Sequence, residues 1–500
     1  MTTLSNIISL QGYFNAEIIL ILGTVLLVLL SFKKHDGYAK LAYQTTLFVL
    51  LCALYATCRS PMRTVATFEG LLSFDNFGRF FKILVTLTAM VATVFAEKSK
   101  ELQRTPKVEF YAFLIALTLG LNVMCMATNL LVVYLAIEMA SIVSYIMSGY
   151  IAFSKRSEEA ALKYVFYGGM ASGVMIFGLS LLYGLTGTLN LPEIRQFLME
   201  NPTDRVVLFV TFIFVLTGLG YKMAVAPFHM WSPDVYEGAP MAVTAFLSVA
   251  SKAAGFALTL RFFLVGFVDT RVVGHWVALK AIDWQLLIAV MAAITMTLGN
   301  LVAIQQKNIK RFLAYSSVAH AGTMLMGLAV QSLTGIEGIL FYFAIYFCMN
   351  LGAFLVAILI ANQFGTEIMT DYKGLAHRNG FGFFVALCMS VFLLSLAGIP
   401  PFAGFIAKWY ILGAVVKAGP TLSWLAIVGV LNSVVALFYY IRLVKYMMID
   451  SPSSEVAVAL PAKRLTIIMA TFAFFSLTLG IFFAPLAHWV QASASLSFLN

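Results

Sequence analysis

The chain has 500 residues, of which 61% are hydrophobic and 11% are charged, and its formal net charge is +10. Apolar runs of about 18 residues or more recur from one end to the other, which excludes an assembly of soluble domains and indicates a polytopic membrane protein. In such a chain the positive charge is distributed among loops and does not indicate nucleic-acid binding.

About fourteen membrane spans are predicted from the apolar runs. In chain order, spans 1 to 14 cover roughly residues 16–32, 40–57, 79–97, 109–127, 129–151, 160–186, 206–230, 239–267, 284–304, 311–331, 335–362, 382–416, 421–447 and 463–490. The runs lack the strict alternation of barrel strands, so the predicted fold class is all-α. No polar linker separates them, and residues 1–500 are predicted to form a single transmembrane bundle.

Basic residues fall mainly in the loops that follow odd-numbered spans. Cytoplasmic loops of membrane proteins are enriched in Lys and Arg, so this bias predicts that both termini lie outside the cytoplasm. The loops after odd-numbered spans hold Lys33, Lys34, Lys40, Lys98, Lys100, Arg104, Lys107, Lys155, Arg156, Lys163, Lys307, Lys310, Arg311, Lys373, Arg378, Arg442, Lys445, Lys463 and Arg464. The outer side is assigned Arg59, Arg63, Arg79, Lys82, Arg195, Arg205, Arg261, Arg271, Lys280 and Lys417.

Polar residues within the spans indicate an internal repeat. The corresponding pairs, each about 180 residues apart, are Glu138 and His320, Lys222 and Lys408, and Arg261 and Arg442. Each shift equals five spans, an odd number, so the second copy enters the membrane from the opposite face. Spans 4–8 (residues 108–267) and 9–13 (residues 284–447) are therefore predicted to be inverted five-helix repeats. Helices 1–3 (residues 1–107) precede them, and a C-terminal helix (463–490) follows.

Prolines are predicted to break corresponding helices of the two repeats. Pro227 interrupts span 7 after Lys222, and Pro400 and Pro401 interrupt span 12 before Lys408. A proline removes one amide donor and disrupts the preceding turn, so each break frees backbone groups beside an ionisable side chain.

Lys222, Lys252, Lys408 and Glu138 lie inside apolar spans, where a charge costs about 2.5 to 3.5 kcal/mol on insertion scales. Because burial destabilises the ammonium form, such lysines are predicted to load and release protons, with Glu138 as the partner that controls Lys222. The alternative is a fixed ion pair between Glu138 and Lys222, with the other two lysines extended toward the headgroups. The small residues around Lys252 favour a narrow hydrated gap over that alternative.

Two histidines and two carboxylates are secondary candidates. His320, in "AYSSVAHAGTM", is predicted to carry protons between Lys252 and Lys408, although a membrane histidine can equally bond a neighbouring helix. His229 is a weaker candidate, because it lies near a helix end. Asp234 and Glu237 are predicted to lie in the following loop, where they cap helices or brace the break.

No pattern for another chemistry is visible in the sequence. The five cysteines are scattered singly, which predicts packing residues and no iron–sulfur or zinc site. The "GLGYK" segment at 218–222 follows no strand, so it does not indicate nucleotide binding. We therefore expect no metal site, no cofactor site and no bond-making catalysis on this chain.

Four segments resemble the antiporter-like membrane subunits of respiratory complex I: "GLGYKMAVAPFHMWSPDVYEGAP" (218–240), "SKAAGF" (251–256), "QKNIKRFLAYSSVAHAG" (306–322) and "AGIPPFAGFIAKWY" (397–410). Lys408, where another branch would carry glutamate, makes the chain most similar to the subunit N branch. The resemblance implies functional roles for Glu138, Lys222, Lys252 and Lys408. It also implies that NADH, FMN, iron–sulfur clusters and quinone are bound by partner subunits, including neighbouring antiporter-like and small membrane subunits.

The resulting hypothesis is a proton-translocating subunit of an NADH-quinone oxidoreductase, itself without a redox centre, in a bacterial inner membrane. A thylakoid membrane remains the alternative location, and the identity of the quinone and of the electron donor stays open. The alternative functions are a subunit of a multisubunit Na⁺/H⁺ antiporter or of a membrane-bound hydrogenase, and a purely structural membrane scaffold.

Overall fold

The computed structural model describes residues 2–32, 38–61, 65–67, 70–103, 105–269, 276–279, 282–452, 457–459, 462–494 and 496. It is 82% helical. The helices are α1 (Thr2–Ser31), α2 (Tyr38–Arg59), α3 (Asn76–Lys98), α4 (Lys107–Met126), α5 (Leu130–Ser148), α6 (Lys155–Thr186), α7 (Leu191–Glu200), α8 (Arg205–Met223), α9 (Trp231–Gly238), α10 (Met241–Phe246), α11 (Lys252–Gly266), α12 (Trp284–Gln305), α13 (Ile309–Ala329), α14 (Leu333–Phe364), α15 (Leu375–Arg378), α16 (Gly380–Ala397), α17 (Ala403–Lys417), α18 (Pro420–Met448), α19 (Lys463–Ile481) and α20 (Ala484–Ser493).

Short elements connect the helices. Strands β1 (Val65–Thr67) and β2 (Leu72–Phe74) form one antiparallel hairpin, and β3 (Val268–Asp269) and β4 (Val277–Ala278) form another. Two 3-10 turns cover Lys100–Leu102 and Met369–Tyr372, and a π-helical turn, Leu247–Ser251, joins α10 to α11.

The all-α prediction and the predicted number of spans are confirmed. The described residues contain 14 helices long and apolar enough to cross a membrane, and each coincides with a predicted span. The prediction did not include α7, a ten-residue helix between spans 6 and 7 whose apolar face packs inward through Leu191, Ile194 and Leu198. The inverted relation between the two halves stays a prediction.

The continuous span α10–α11 occupies the centre of the bundle. All residues of its 18-residue apolar segment are buried, and 89% of those in the corresponding segments of α13 and α14 are buried. In α1 and α19 the buried share is only 28% and 22%. A helix enclosed on all sides contacts protein rather than lipid around its whole circumference. Lys252 and His320 are therefore carried by helices of the bundle core.

Both predicted helix breaks are present. Helix α8 ends at Met223, where Ala224 adopts φ 55°, and α16 ends at Ala397, where Gly398 adopts φ 82°. The left-handed conformation at Gly398 is accessible because glycine has no Cβ. The chain resumes as helix at α9 after Pro227 and at α17 after Pro401, and each break exposes the carbonyl end of a helix inside the protein.

Two cations that the topology argument assigned to outer loops are instead buried within helices. Lys82 in α3 is 4% exposed, with its Nζ 2.6 Å from Oε1 of Glu17. Arg261 in α11 is fully buried and donates to both carboxylate oxygens of Asp75 at 2.7 and 2.8 Å. Burial is tolerated because each cation has an anion beside it. Six other basic residues assigned to loops lie outside the described residues: Lys33, Lys34, Arg63, Arg104, Arg271 and Lys280.

Candidate functional site

Lys222 lies at the broken end of α8. Its side chain is 2% exposed, and its Nζ donates a 3.3 Å hydrogen bond to Oγ of Ser141 in α5. The last turn of a helix presents carbonyl groups and a partial negative charge, which favours a cation at this position. The break at Ala224 therefore puts a lysine against the negative end of a helix inside the protein.

Glu138 lies one helical turn before Ser141 on α5 and is half-buried. Its Oε1 is buried without a hydrogen-bond partner. Within the described residues no ion pair of 4.0 Å or less joins Glu138 to Lys222, so the fixed ion pair that was the alternative hypothesis is not formed. Ser141 occupies the position beside the ammonium group, and the charge of Glu138 acts on Lys222 across a longer distance.

Lys252 is the first residue after the π-helical turn in the central span. It is 1% exposed, and its Nζ donates a 2.7 Å hydrogen bond to Oγ of Ser317 in α13. One turn further along α11, a Cβ added to Gly255 would lie 3.4 Å from Cγ of Lys222. Without a side chain at Gly255, the helix that carries Lys252 packs directly against Lys222.

His320 lies between two tyrosines. Its Nδ1 is 2.6 Å from the hydroxyl of Tyr342, and its Nε2 is 3.0 Å from the hydroxyl of Tyr440. His320 follows Ser317 by three residues on α13, so both side chains lie on one face of that helix. The partner of Lys252 is therefore one helical turn from the imidazole ring.

Lys408 is 7% exposed and reaches back across the second break. Its Nζ donates a 2.7 Å hydrogen bond to the carbonyl oxygen of Ala397, the last residue of α16. A small cavity of about 10 Å³ is lined by both Lys408 and His320, together with polar side chains that include Asn300 and Thr323. That volume is about the space one water molecule needs.

The three central lysines differ from the other buried cations in their partners. In the part of the chain that the structure describes, Lys222, Lys252 and Lys408 bond only neutral oxygen atoms and make no ion pair. In contrast, Lys82 pairs with Glu17, and Lys310 pairs with Glu101 at 3.1 Å and Glu367 at 2.6 Å. An unpaired buried ammonium is costly, so its neutral form is more accessible than that of a paired lysine.

Asp234 and Glu237 lie in helix α9 and not in a loop, which corrects that prediction. Arg311, in the first turn of α13, donates to Asp234 at 2.6 Å and to Glu237 at 2.9 Å, and Lys163 of α6 binds Asp234 at 2.6 Å. Partial burial favours the neutral acid, but the hydrogen bonds from Lys163 and Arg311 outweigh it and lower the pKa of Asp234. These contacts brace the segment after the first break, as predicted, by binding it to α13.

The remaining sequence predictions have mixed outcomes. His229 is 2% exposed with an unpartnered Nδ1. Among the described residues no hydrogen bond or ion pair joins it to the five main candidates, but it interacts through space with the charge of Lys252. Cys125, Cys348 and Cys388 are buried as predicted for packing residues, whereas Cys58 is exposed. Sequence reasoning missed Ser141, Ser317, Tyr342 and Tyr440, because no local signal distinguishes them from the many hydroxyl residues of the other spans.

Sequence comparison with known proteins finds similarity to one family of membrane subunits. Residues 127–436 match the family model described as NADH:quinone oxidoreductase/Mrp antiporter, TM. The chain is 42% identical to NADH-quinone oxidoreductase subunit N of an Anaeromyxobacter species, with 97% of this chain and 96% of that protein covered. It is 40% identical to subunit N 2 of Sorangium cellulosum, with 99% of each covered.

Solved structures give the same architecture. A chain of Thermus thermophilus respiratory complex I with bound aureothin superposes with a TM-score of 0.78 at 27% identity, over 95% of this chain and 99% of that one. A chain of the Mrp complex of a Dietzia species gives a TM-score of 0.81 at 21% identity, over 98% and 97%. At 21% identity the likeness is one of fold alone.

Proposed function

The chain belongs to the subunit N family of NADH-quinone oxidoreductase, and on that premise we propose that it is one proton-pumping module of a bacterial complex I. It is a multi-pass membrane subunit of a translocase, and other subunits of that complex are its partners. We further propose that the neighbouring antiporter-like and small membrane subunits contact it directly.

Proton transfer is proposed to run through five residues. Lys222 takes up a proton from the cytoplasmic side, and Glu138 controls its affinity through space. Lys252, His320 and Lys408 then pass the proton toward the outside. The observation that supports this relay is that the described hydrogen-bond partners of the three buried lysines are neutral. An ammonium with only hydroxyl or carbonyl partners can lose its proton without leaving an unpaired anion.

The drive for pumping is proposed to come from quinone reduction in other subunits. Moving one charge against 100 mV requires about 2.3 kcal/mol, so the coupling to this chain must exceed that amount. Glu138 and Lys222 form no direct ion pair among the described residues. A charge or a water molecule that moves between them would therefore change the strength of their electrostatic interaction, and this effect is large at low dielectric. We propose that NADH, FMN, iron–sulfur clusters and quinone are bound elsewhere, and that this chain has no redox centre.

The proposed location is the bacterial inner membrane with both termini outside the cytoplasm. The argument is the distribution of basic residues, which remains uneven after Lys82 and Arg261 are moved from the outer loops to the bundle interior. A cysteine placed at either end of the chain and labelled from outside intact spheroplasts tests this orientation.

The decisive experiment replaces Lys222 by alanine and measures protons pumped per electron in vesicles that contain the intact complex. We expect pumping to be abolished while the complex remains assembled. The matched control is Lys445→Ala, because the Lys445 side chain is 59% exposed. An unchanged proton-to-electron ratio in Lys222→Ala would refute the assignment.

The alternatives predict different results. A subunit of a multisubunit Na⁺/H⁺ antiporter would copurify with small antiporter subunits and without quinone-site or iron–sulfur subunits. A structural scaffold would keep normal transport when Glu138, Lys222, Lys252 and Lys408 are neutralised one at a time. Only the fold likeness to the Mrp chain favours the antiporter, and it says nothing about the transported ion.

A further inference from the structure

A large apolar groove on the outside of the bundle has no role in the proposed relay. It has a volume of about 1100 Å³ and lies between α17, α18, the start of α14 and α20. Its walls include Trp409, Ile427 and Leu431, which are 64%, 62% and 60% exposed. Pockets for drug-sized ligands occupy about 300–1,000 Å³, so this groove accommodates a larger apolar molecule.

Two opposite charges line the groove. Glu337 lies in the second turn of α14, and Lys417 is the last residue of α17. Among the described residues neither one makes an ion pair, with the other or elsewhere, although their charges interact at longer range. The groove therefore presents a carboxylate and an ammonium group whose charges interact although they form no ion pair among the described residues.

The depth of the groove corresponds to one leaflet of a bilayer. Lys417 is at the end of α17 and Glu337 is one turn into α14, and polar headgroups lie near helix ends of this kind. Trp409 precedes Lys417 by eight residues and Leu431 follows Pro420 by eleven, which places them about 12 and 16 Å deeper at 1.5 Å per residue. Half of a hydrocarbon core of about 30 Å is about 15 Å.

We infer that this groove binds one phospholipid with a zwitterionic ethanolamine headgroup. The phosphate lies against Lys417, the ammonium group of the headgroup lies against Glu337, and the acyl chains lie along Trp409, Ile427 and Leu431. The arrangement satisfies both charges at once, because a charged hydrogen bond forms at each end of the headgroup.

Headgroup chemistry separates this ligand from other membrane phospholipids. An ethanolamine ammonium has N–H donors for a carboxylate, whereas a choline group has none. A phosphatidylglycerol headgroup carries a net negative charge and no cation, so it binds Lys417 but leaves Glu337 beside an anion. The pair Glu337 and Lys417 therefore selects phosphatidylethanolamine over both.

Photo-crosslinking of the intact complex tests the inference directly. The complex is reconstituted in nanodiscs with equal amounts of phosphatidylethanolamine, phosphatidylcholine and phosphatidylglycerol, with p-benzoylphenylalanine in place of Ile427. The control carries the same probe in place of Phe166, which is 61% exposed on α6. After irradiation, mass spectrometry identifies the adducts.

We expect phosphatidylethanolamine adducts to be enriched about threefold to tenfold at position 427 relative to position 166. An enrichment of this size corresponds to one hydrogen bond between charged groups at a partly exposed site. Glu337→Gln should remove the preference over phosphatidylcholine, and Lys417→Gln should lower the total lipid adduct. Equal lipid composition at the two positions would overturn the inference. A cross-link to a neighbouring polypeptide would also overturn it, because the groove would then hold protein.

A variant that fills the groove gives a second, charge-independent test. A Cβ at Gly413 meets nothing within 4 Å, so Gly413→Leu projects into the open groove. Gly173 on α6 is equally open, and Gly173→Leu is the matched control. The adduct at position 427 should fall in Gly413→Leu and persist in Gly173→Leu; an equal yield in both contradicts the inference. Neither readout depends on proton pumping.

Discussion

Lys252 and Ser317 are joined by a 2.7 Å hydrogen bond from Nζ to Oγ. The two residues belong to different halves of the chain: Lys252 begins α11 in the predicted first repeat, and Ser317 lies on α13 in the predicted second repeat. The contact is thus a direct polar link between the halves at the centre of the bundle. A shift of α11 against α13 would change the partner of a buried ammonium group.

Ser317→Ala tests this link. The substitution removes the hydrogen-bond acceptor of Lys252 and leaves a buried donor unsatisfied, which costs about 1–3 kcal/mol. We expect the rate of proton pumping to fall by about tenfold, since 1.4 kcal/mol corresponds to a factor of ten. The measurement is the initial rate of proton uptake into vesicles that contain the intact complex. Ser180→Ala, at an exposed serine of α6, should pump normally; equal rates in the two variants would exclude a role for Ser317.

Tyr342→Phe tests the orientation of His320. The tyrosine hydroxyl lies 2.6 Å from Nδ1 of His320. This contact holds the imidazole ring in the orientation in which Nε2 faces the hydroxyl of Tyr440. We expect slower pumping in an assembled complex, with a further loss when Tyr440→Phe is added. The control is Tyr55→Phe, because Tyr55 is 63% exposed on α2. Normal pumping in the double variant would show that His320 acts without these tyrosines.

Gly398→Ala tests the position of Lys408. A Cβ at Gly398 would lie 2.7 Å from Cδ of Lys408, so the lysine must move from its hydrogen bond to Ala397. The matched control is Gly365→Ala: Gly365 has φ +66° and an open surrounding, so the backbone strain is the same without the clash. Both variants should lose about 1–2 kcal/mol of stability. Pumping should fall only in Gly398→Ala, and a similar fall in both would attribute it to strain.

Asp234→Asn tests the brace between α9 and α13. The lowered pKa of Asp234 means that its ionised form stabilises the folded protein above the ordinary aspartate pKa of about 3.9, and that this contribution is lost as pH falls through the lower folded value. We expect Asp234→Asn to reduce thermal stability at neutral pH by about 1 kcal/mol or less, given its partial exposure. The difference from wild type should shrink in acid. A difference that is constant with pH would mean that the brace does not act through charge.

Glu17→Gln tests the distinction between paired and unpaired buried cations. It leaves Lys82 buried without an anion, and breaking such a pair costs about 3–5 kcal/mol. We expect poor assembly, rescued when Lys82→Met is added. Lys222→Met should assemble normally, because Lys222 makes no ion pair with any residue that the structure describes. The measurement is the thermal stability of the purified complex that carries Glu17→Gln, Glu17→Gln with Lys82→Met, or Lys222→Met. Equal stability of Glu17→Gln and wild type would contradict the distinction.

The sequence by itself determined the number of spans, the helix breaks and the burial of Lys222, Lys252 and Lys408. Each of these follows from a local property: the length of an apolar run, the missing amide of a proline, or a charge within a run. Such features do not depend on which helices are neighbours.

Only the tertiary structure decided which groups meet. It leaves Glu138 and Lys222 without a direct ion pair and places Ser141 of α5 beside Lys222 of α8 instead. It also buries Lys82 beside Glu17, which no local pattern links because the two residues are 65 positions apart on different helices. Contacts between distant segments depend on how whole helices pack, and packing is set by the fit of many side chains at once, so the partner of any single polar group is not encoded in its own stretch of sequence.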